Sequence, residues 1–339
     1  MKNYKEYIKG LPKVHLHCHI DGSVRPSTIL ELSKEERIEL PTYNLEELNK
    51  LVKIEDKCTS LKDYLTRFSY PINVMQTSKN IRRVTLELLE DSAKENIKYI
   101  EMRFAPYLHT NKGLSSEKVL ENVIEAKEEA EKLYGIKSNI IVSFLRHETE
   151  ERNIEELNKI KKFIKKGVVA VDLAGNEEDF PPELFQNLFK EAKKLGLHVT
   201  IHAGETGKEE NILKSIELLG AERIGHGTSA YKSLELEKFL IKNNIPLEVC
   251  VTSNYNTEIV DKKENHPVKD FLRKGIKVTI STDNNTVSNV SLTEEFINAY
   301  ERLGFNKEDI KKIVKNSIEA SFCSKEEKDE LYNILENYQ

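Results

Sequence analysis

Three histidines alternate along one short segment near the start of the chain. His15, His17 and His19 stand at i, i+2 and i+4 in KVHLHCH. In a β-strand, residues two apart point to the same face, so the three imidazoles would face one way. Imidazole nitrogens hold Zn²⁺ and also move protons near neutral pH. Because an H-x-H pattern alone is a weak signal, either chemistry needs support from other residues.

That support comes from polar residues at the carboxyl ends of other apolar segments. His202, His226 and Asp283 each lie at or directly after such an end. Singly, each is more typical of a hydrogen-bonded core histidine or a capping aspartate. Together, imidazoles and a carboxylate are ligands that Zn²⁺ prefers, and such a site can keep a position open for water. Glu205, three residues past His202, could then give or take a proton, whereas alone it would indicate a solvated loop acid or a helix cap.

Eight β-branched, apolar segments predict the strands that must position these residues. They cover residues 13–19, 98–104, 138–145, 168–173, 197–203, 222–227, 245–250 and 277–282. Amphipathic helical patterns separate most of them, and a glycine ends several of these patterns just before the next strand. Such β/α units close most simply into a (β/α)8 barrel, with an open doubly wound sheet as the alternative. Barrel active sites lie at the carboxyl ends of the strands, where the histidines and Asp283 fall.

The first connection between predicted strands is much longer than the others. From about residue 22 to about residue 97 the chain carries mostly helical patterns, which predicts a helical insertion after the first strand. A pocket wall or lid and a helical decoration of the scaffold are equally compatible with this pattern. Because no linker-like or low-complexity stretch divides the sequence, we expect one domain over residues 1–339, with further helices at its C-terminal end.

Composition excludes several other classes of protein. The formal charge is −5, and 38% of the residues are hydrophobic and 32% charged. This composition indicates no nucleic-acid partner and no membrane partner, and no window approaches the ~18 apolar residues of a membrane span. The four cysteines are widely spaced, which argues against a thiolate cage or a disulfide framework. We therefore expect a cytoplasmic protein that acts on a small molecule, whose oligomeric state the sequence does not determine.

Seven motifs resemble, in the same order, those of the adenosine deaminase family of metal-dependent hydrolases. They are PKVHLHCHIDGS (12–23), IEMRFAP (100–106), VDLAGNE (171–177), HAGE (202–205), RIGHG (223–227), LEVCVTSN (247–254) and STDN (281–284). The resemblance spans nearly the whole chain. It implies a (β/α)8 barrel, one zinc ion and hydrolytic deamination at C6 of a purine nucleoside. The expected reaction converts adenosine to inosine and ammonia, and we expect it to extend to 2′-deoxyadenosine.

The resemblance also implies a metal and proton-transfer role for several residues. Glu205 would protonate N1 of the purine ring. His226, assisted by Asp283, would orient the attacking water and help to deprotonate it. The implied zinc ligands are His17, His19, His202 and Asp283.

Further positions resemble the family's substrate contacts. Asp21 would accept a hydrogen bond from the ribose 5′-hydroxyl, and the backbone amide of Gly175 would meet N3 of the purine. His19 would also contact the substrate. Asn284 stands where the family usually has a second aspartate, which contacts N7. Because N7 is an acceptor and an asparagine amide donates at any pH, we expect Asn284 to preserve that contact.

His15 is a further departure from the family pattern, Val251 stands where LEVC is often followed by proline, and two alternatives stay open. His15 stands at a position that is usually acidic in the family, and we expect it one layer deeper in the core. The nearest alternative activity is a deaminase of free adenine or of a modified AMP, although such relatives tend to carry Glu or Asn at the position of Asp21. A non-catalytic binding relative would have lost ligands or Glu205. The cytidine-deaminase type is excluded because its H-x-E and P-C-x-x-C signature is absent.

Overall fold

The strands follow one another around a single parallel sheet in chain order. The computed structural model describes residues 4–58 and 60–338. Within those ranges the sheet has eight strands: β1 (Lys13–His19), β2 (Ile97–Phe104), β3 (Lys137–Leu145), β4 (Val168–Ala174), β5 (His198–Ala203), β6 (Arg223–His226), β7 (Leu247–Val249) and β8 (Val278–Ile280). Each predicted strand segment coincides with one of them to within a few residues.

The chain beyond β8 returns to β1 and nearly closes the sheet. The backbone N–H of His19 donates to the carbonyl of Asp283 at 2.8 Å, and the N–H of Asp283 donates to the carbonyl of His17 at 3.1 Å. A doubly wound sheet would instead reverse its strand order at a switch point. The predicted (β/α)8 barrel is therefore confirmed, and the open-sheet alternative is wrong.

Helices surround the barrel, and a further helix forms the segment before β1. Before and within the first connection, the described residues form α1 (Tyr4–Gly10), α2 (Pro26–Glu35), α3 (Leu45–Val52), α4 (Leu61–Thr66), α5 (Ser69–Val74) and α6 (Ser78–Lys94). The predicted helical insertion after β1 is thus present as α2–α5, before the crossover helix α6. The limits 22–97 and the single-domain organisation stay predictions.

The remaining helices alternate with the strands and then follow them. They are α7 (Ser116–Tyr134), α8 (Glu150–Ile160), α9 (Gln186–Lys194), α10 (Glu210–Glu217), α11 (Leu234–Lys242), α12 (Val251–Asn256), α13 (Val268–Lys274), α14 (Leu292–Glu301), α15 (Lys307–Ala320) and α16 (Lys325–Glu336). Gly135 ends α7 and Gly275 ends α13 with φ of 66° and 94°, a left-handed conformation that glycine adopts without steric cost. No helix in the described ranges combines the length and the apolar character needed to cross a membrane.

The strands are buried on both faces because helices cover the outside while side chains fill the inside. Many of these buried side chains are apolar, for example Ile140, Val142 and Phe144 of β3. Several charged side chains are nevertheless fully buried within the strands, among them Glu101, Arg103, Asp172, Arg223 and Glu248. Buried charges are costly unless they are paired, so this polar interior indicates a specific network rather than a simple apolar core.

Candidate metal and catalytic centre

A cavity of about 340 Å³ opens where the carboxyl ends of the strands meet. Leu61, Leu65, Phe68 and Ile72, all from the inserted segment, form one apolar part of its wall. The inserted helices therefore contribute directly to the pocket, as the pocket-wall interpretation predicts. The cavity brings together nearly all of the predicted site residues, namely His19, Asp21, Gly175, His202, Glu205, His226, Asp283 and Asn284.

A compact group of potential metal ligands lies at the bottom of this cavity. His17, His202, His226 and Asp283 each place one ligand atom within 4.8 Å of the others. His19 approaches the same group, since its Nε2 lies 3.2 Å from Nε2 of His202 and 3.3 Å from Oδ1 of Asp283. Five groups thus converge where the sequence predicts four ligands, and His226 is the additional one.

Two of the imidazoles are held from outside the cluster by carboxylates. Nδ1 of His17 lies 2.9 Å from Oε2 of Glu248, and Nδ1 of His202 lies 2.9 Å from Oδ1 of Asp172. A carboxylate that accepts a hydrogen bond from Nδ1–H keeps the proton on that nitrogen and leaves the Nε2 lone pair pointing inward, which is the usual arrangement of metal-binding histidines. Nε2 of His17 is buried without a hydrogen-bond partner in the described part of the chain. These donors fit a borderline metal ion such as zinc.

Buried guanidinium groups keep those outer carboxylates ionised. Arg103 lies 2.7 Å from Glu248 and 3.5 Å from Asp172, and Arg223 lies 2.6 Å from Glu248. Burial by itself would raise the pKa of Glu248, but Arg103 and Arg223 hold that pKa well below its usual value. Burial likewise opposes ionisation of Asp172, whose pKa His202 and Arg103 nevertheless lower. The network beneath the cluster therefore favours the ionised carboxylates that orient His17 and His202.

Two residues of the centre adopt a strained backbone conformation. His226 and Asp283 have φ of 62° and 64°, in the left-handed region that side chains larger than glycine disfavour. Such a conformation costs free energy and persists where surrounding contacts hold it. For Asp283, one such contact is the hydroxyl of Ser253, which donates to Oδ2 at 2.7 Å.

Glu205 faces the cavity from a loop whose backbone N–H groups donate to a second buried acid, Glu177. Oε1 of Glu177 accepts the backbone N–H groups of Glu205 and Thr206 at 2.6 and 2.7 Å, and its Oε2 accepts the N–H of Gly204 at 2.9 Å. Burial raises the pKa of Glu205 well above its usual value, and the carboxylates of Asp283 and Glu177 raise it further. Burial and neighbouring negative charge in the site therefore both favour the protonated form of Glu205.

Replacing Glu177 with alanine is expected to destabilise this loop and lower activity together. The substitution leaves three buried or half-buried N–H groups without their acceptor, at a cost of about 1–3 kcal/mol for each one that stays buried. Thermal unfolding and turnover of purified protein measure the two effects. Glu178→Ala is the matched control, since the adjacent side chain is exposed. An unchanged melting temperature for Glu177→Ala would contradict the assigned role of Glu177.

Asn284 is held by a tyrosine that sequence reasoning did not identify. Its Nδ2 donates to the hydroxyl of Tyr64 at 2.7 Å, and that hydroxyl donates to Oδ2 of Asp283 at 3.3 Å. Tyr64 belongs to α4 of the inserted segment and is buried. A Cβ on Gly22 would lie only 1.7 Å from Oδ1 of Asn284, so only glycine fits there without movement. The available signal was the tyrosine itself, in a helix of the inserted segment that also supplies Leu61 and Leu65 to the cavity wall.

Three other predicted residues have distinct surroundings. Asp21 is buried beside the cavity, where its Oδ1 accepts the N–H of Gly22 at 3.1 Å. Gly175 follows β4 with φ of 103° and lines the cavity. His15 lies apart from the metal-binding cluster, because its Nε2 accepts the backbone N–H of Thr282 at 3.2 Å. This core position is the one expected for His15.

Comparisons with known proteins agree with this geometry. A family model described as adenosine deaminase matches residues 12–338. An adenosine deaminase from Clostridium kluyveri is 52% identical over 330 residues, which cover 97% of this chain and 95% of that protein. An adenosine deaminase from Clostridium acetobutylicum is 50% identical over 334 residues, covering 98% of this chain and 100% of that protein.

Solved structures show the same fold. The adenine deaminase from Arthrobacter aurescens superposes with a TM-score of 0.92 at 28% identity, over 97% of this chain and 99% of that one. The N6-mAMP deaminase of Arabidopsis gives a TM-score of 0.87 at 28% identity, over 98% and 99% of the two chains. The overall fold is thus shared with an adenine deaminase and an N6-mAMP deaminase.

Proposed function

Because the chain belongs to the adenosine deaminase family and is a hydrolytic deaminase, we propose that it uses one zinc ion to deaminate adenosine to inosine and ammonia. The proposal extends to 2′-deoxyadenosine. The observation that carries it is the buried group of imidazoles and Asp283, which lines the same cavity as the buried acid Glu205.

The proposed zinc ligands are the four predicted from the sequence: His17, His19, His202 and Asp283. Two observations support this assignment. The four groups converge on one point, and carboxylates hold Nδ1 of His17 and His202 from outside. A zinc ion held by these residues would supply hydroxide near neutral pH, because such an ion lowers the pKa of water to about 7.

Glu205 is proposed to donate its proton to N1 of the purine. Protonation at N1 removes the aromatic penalty of adding an oxygen at C6, so the two events assist each other. A carboxyl group can do this near neutral pH only if its pKa is raised, and burial raises the pKa of Glu205. His226 and Asp283 act together on the attacking water, which is oriented and deprotonated there, and the tautomer of His226 determines how the two side chains divide these tasks.

The substrate is proposed to lie against the polar residues of the cavity. Asp21 accepts from the ribose 5′-hydroxyl, Gly175 meets N3 through its backbone amide, and His19 contacts the nucleoside. Leu61, Leu65 and Phe68 cover an apolar part of the cavity, where they would exclude water from the reacting atoms.

Asn284 is proposed to donate to N7, and its replacement by leucine is expected to lower kcat/KM for adenosine about tenfold, the value of one buried hydrogen bond. The measurement is steady-state kinetics with adenosine and with 7-deazaadenosine, which lacks the N7 acceptor. The difference between the native protein and Asn284→Leu should largely disappear with the 7-deaza substrate. An unchanged kcat/KM for adenosine would contradict the contact.

A deaminase of free adenine or of a modified AMP is the second candidate. The fold similarity to enzymes with those activities favours it. Asp21 favours the nucleoside, because a carboxylate beside the 5′ position suits a hydroxyl donor better than a phosphate.

One assay separates these candidates. Purified protein is incubated with adenosine, adenine, AMP and N6-methyl-AMP, and the fall in absorbance on loss of the 6-amino group is followed with and without a chelator. We expect chelator-sensitive turnover of adenosine that returns when zinc is added. Faster turnover of adenine or of a nucleotide than of adenosine would contradict the main proposal and favour the second candidate. No turnover of any of the four compounds after zinc addition would contradict both.

A further inference from the structure

The hydrogen bonds of His266 determine where its own proton lies. This buried histidine directly precedes the turn into α13. The backbone N–H of Val268 donates to its Nδ1 at 3.1 Å. Because a backbone N–H can only donate, Nδ1 of His266 carries no proton. Burial lowers the pKa of His266 to about 3, so the ring is neutral and its single proton is on Nε2.

That proton determines the orientation of the Asn254 amide. Nε2 of His266 lies 3.1 Å from one end of the Asn254 amide, which must accept and is therefore the oxygen, Oδ1. The hydroxyl of Thr228 lies 2.9 Å from the same oxygen. With two donors at Oδ1, the amide nitrogen of Asn254 can only point the other way, where it lies 3.1 Å from Nδ1 of His226.

The orientation of Asn254 in turn determines the tautomer of His226. Because the amide nitrogen donates, Nδ1 of His226 accepts and carries no proton. A neutral His226 then has its proton on Nε2, which lies 3.6 Å from Oε1 of Glu205. This Nε2 is buried and has no hydrogen-bond partner among the residues that the structure describes. His226 thus presents an unused donor to the cavity.

We propose that Asn254 and His266 are positioning residues that hold His226 as a hydrogen-bond donor, so that it neither ligates zinc nor accepts a proton. The inference rests on the proposed function, whose site it deepens. His17 and His202 differ because carboxylates accept at their Nδ1, which leaves their Nε2 lone pairs free. His226 therefore donates to the oxygen of the attacking water, and the proton that leaves this water passes to the carboxylate of Asp283.

This assignment resolves the excess of ligand candidates. Geometry alone groups His226 with His17, His202 and Asp283. A ring nitrogen that carries a proton has no lone pair for a metal, so the outer partners separate the ligands His17 and His202 from His226. His19 rather than His226 then completes the group of four.

Nitrogen-15 NMR of the full chain, labelled at its histidines, tests the inference directly. The chemical shifts of the ring nitrogens distinguish protonated from unprotonated nitrogen, and the signals of His226 are those that disappear in His226→Gln. We expect a protonated Nε2 and an unprotonated Nδ1 in the native protein, both with and without zinc. A proton on Nδ1 of His226 would overturn the proposal, whatever substrate the protein proves to use.

The variant Asn254→Asp should reverse this tautomer at almost constant size. A carboxylate in place of the amide accepts at Nδ1 of His226, so the proton moves there and Nε2 becomes an acceptor. We expect kcat to fall roughly tenfold or more while KM changes less than about threefold, since the lost hydrogen bond acts on the attacking water. An unchanged tautomer together with unchanged kcat would contradict the role of Asn254.

Asn256→Asp is the matched control in the same helix. Its amide donates to the carbonyl of Asp56 rather than to His226, so the His226 signals should not change. If Asn254→Asp fails to fold, the native spectrum still decides the proposal. Failure of the native protein to deaminate adenosine would count against the proposed function alone, because the tautomer is measured without turnover.

Discussion

Replacing Glu205 with glutamine is expected to lower kcat for adenosine by about 10²- to 10⁴-fold, the usual contribution of a positioned general acid. Glutamine has nearly the same size as glutamic acid but cannot transfer a proton to N1 of the purine. Zinc content should stay unchanged, because Glu205 is not among the proposed ligands. KM should change much less than kcat, since the proton transfer belongs to the transition state.

Steady-state kinetics and metal analysis of the purified variant measure these quantities. The matched control is Glu210→Gln, an exposed acid in the helix that follows the same loop. Loss of zinc together with activity would show that Glu205 serves the metal rather than the proton. A kcat within threefold of the native value would remove Glu205 from the mechanism.

Replacing Asp172 with asparagine is expected to weaken zinc binding by about 10- to 100-fold, the usual effect of removing an outer partner of a ligating histidine. Oδ1 of Asp172 accepts from Nδ1 of His202 at 2.9 Å, and Oδ2 accepts from the hydroxyl of Ser143 at 3.1 Å. An amide placed there loses the negative charge that makes His202 a stronger ligand. It also leaves Arg103 with one carboxylate fewer to oppose its charge.

Competition with a chromophoric chelator measures the zinc affinity of this variant, and circular dichroism establishes that it is folded. Asp179→Asn is the control, because Asp179 is an exposed acid in the loop that follows the same strand. If a folded Asp172→Asn variant bound zinc as tightly as the native protein, the proposed role of Asp172 as the carboxylate that supports His202 would be contradicted. Activity measured at saturating zinc then distinguishes two effects. Full activity would indicate that the variant only binds zinc more weakly, and reduced activity would indicate that His202 is also misplaced.

The barrel was predictable because its signals are local. A run such as VVAVDL predicts a buried strand from its own residues, and a glycine such as Gly135 predicts the end of a helix from the left-handed turn needed there. His202, Glu205, His226 and Asp283 were also identifiable, since each stands at a fixed position relative to the end of a strand. Strand ends in a parallel barrel share one face, so their order along the chain was enough to place them together.

The partners of those residues were not predictable in the same way. Glu248 contacts His17 across 231 positions of the chain, and Asn254 contacts His226 across 28. Such pairs depend on strand register and on how α12 is placed after β7, which no local pattern specifies. Tyr64 likewise reaches Asn284 only because the inserted helices fold over the cavity.

The sequence by itself determined the fold class, the family resemblance and the residue types available for chemistry, because periodicity and motif order are properties of neighbouring residues. Only the tertiary structure decided whether the Nε2 that His17, His202 and His226 turn toward the centre carries a proton. That choice depends on what the opposite nitrogen contacts: a carboxylate at His17 and His202, and an amide at His226. Identical imidazole side chains are thus expected to take different roles because their partners, which lie far away in the chain, differ.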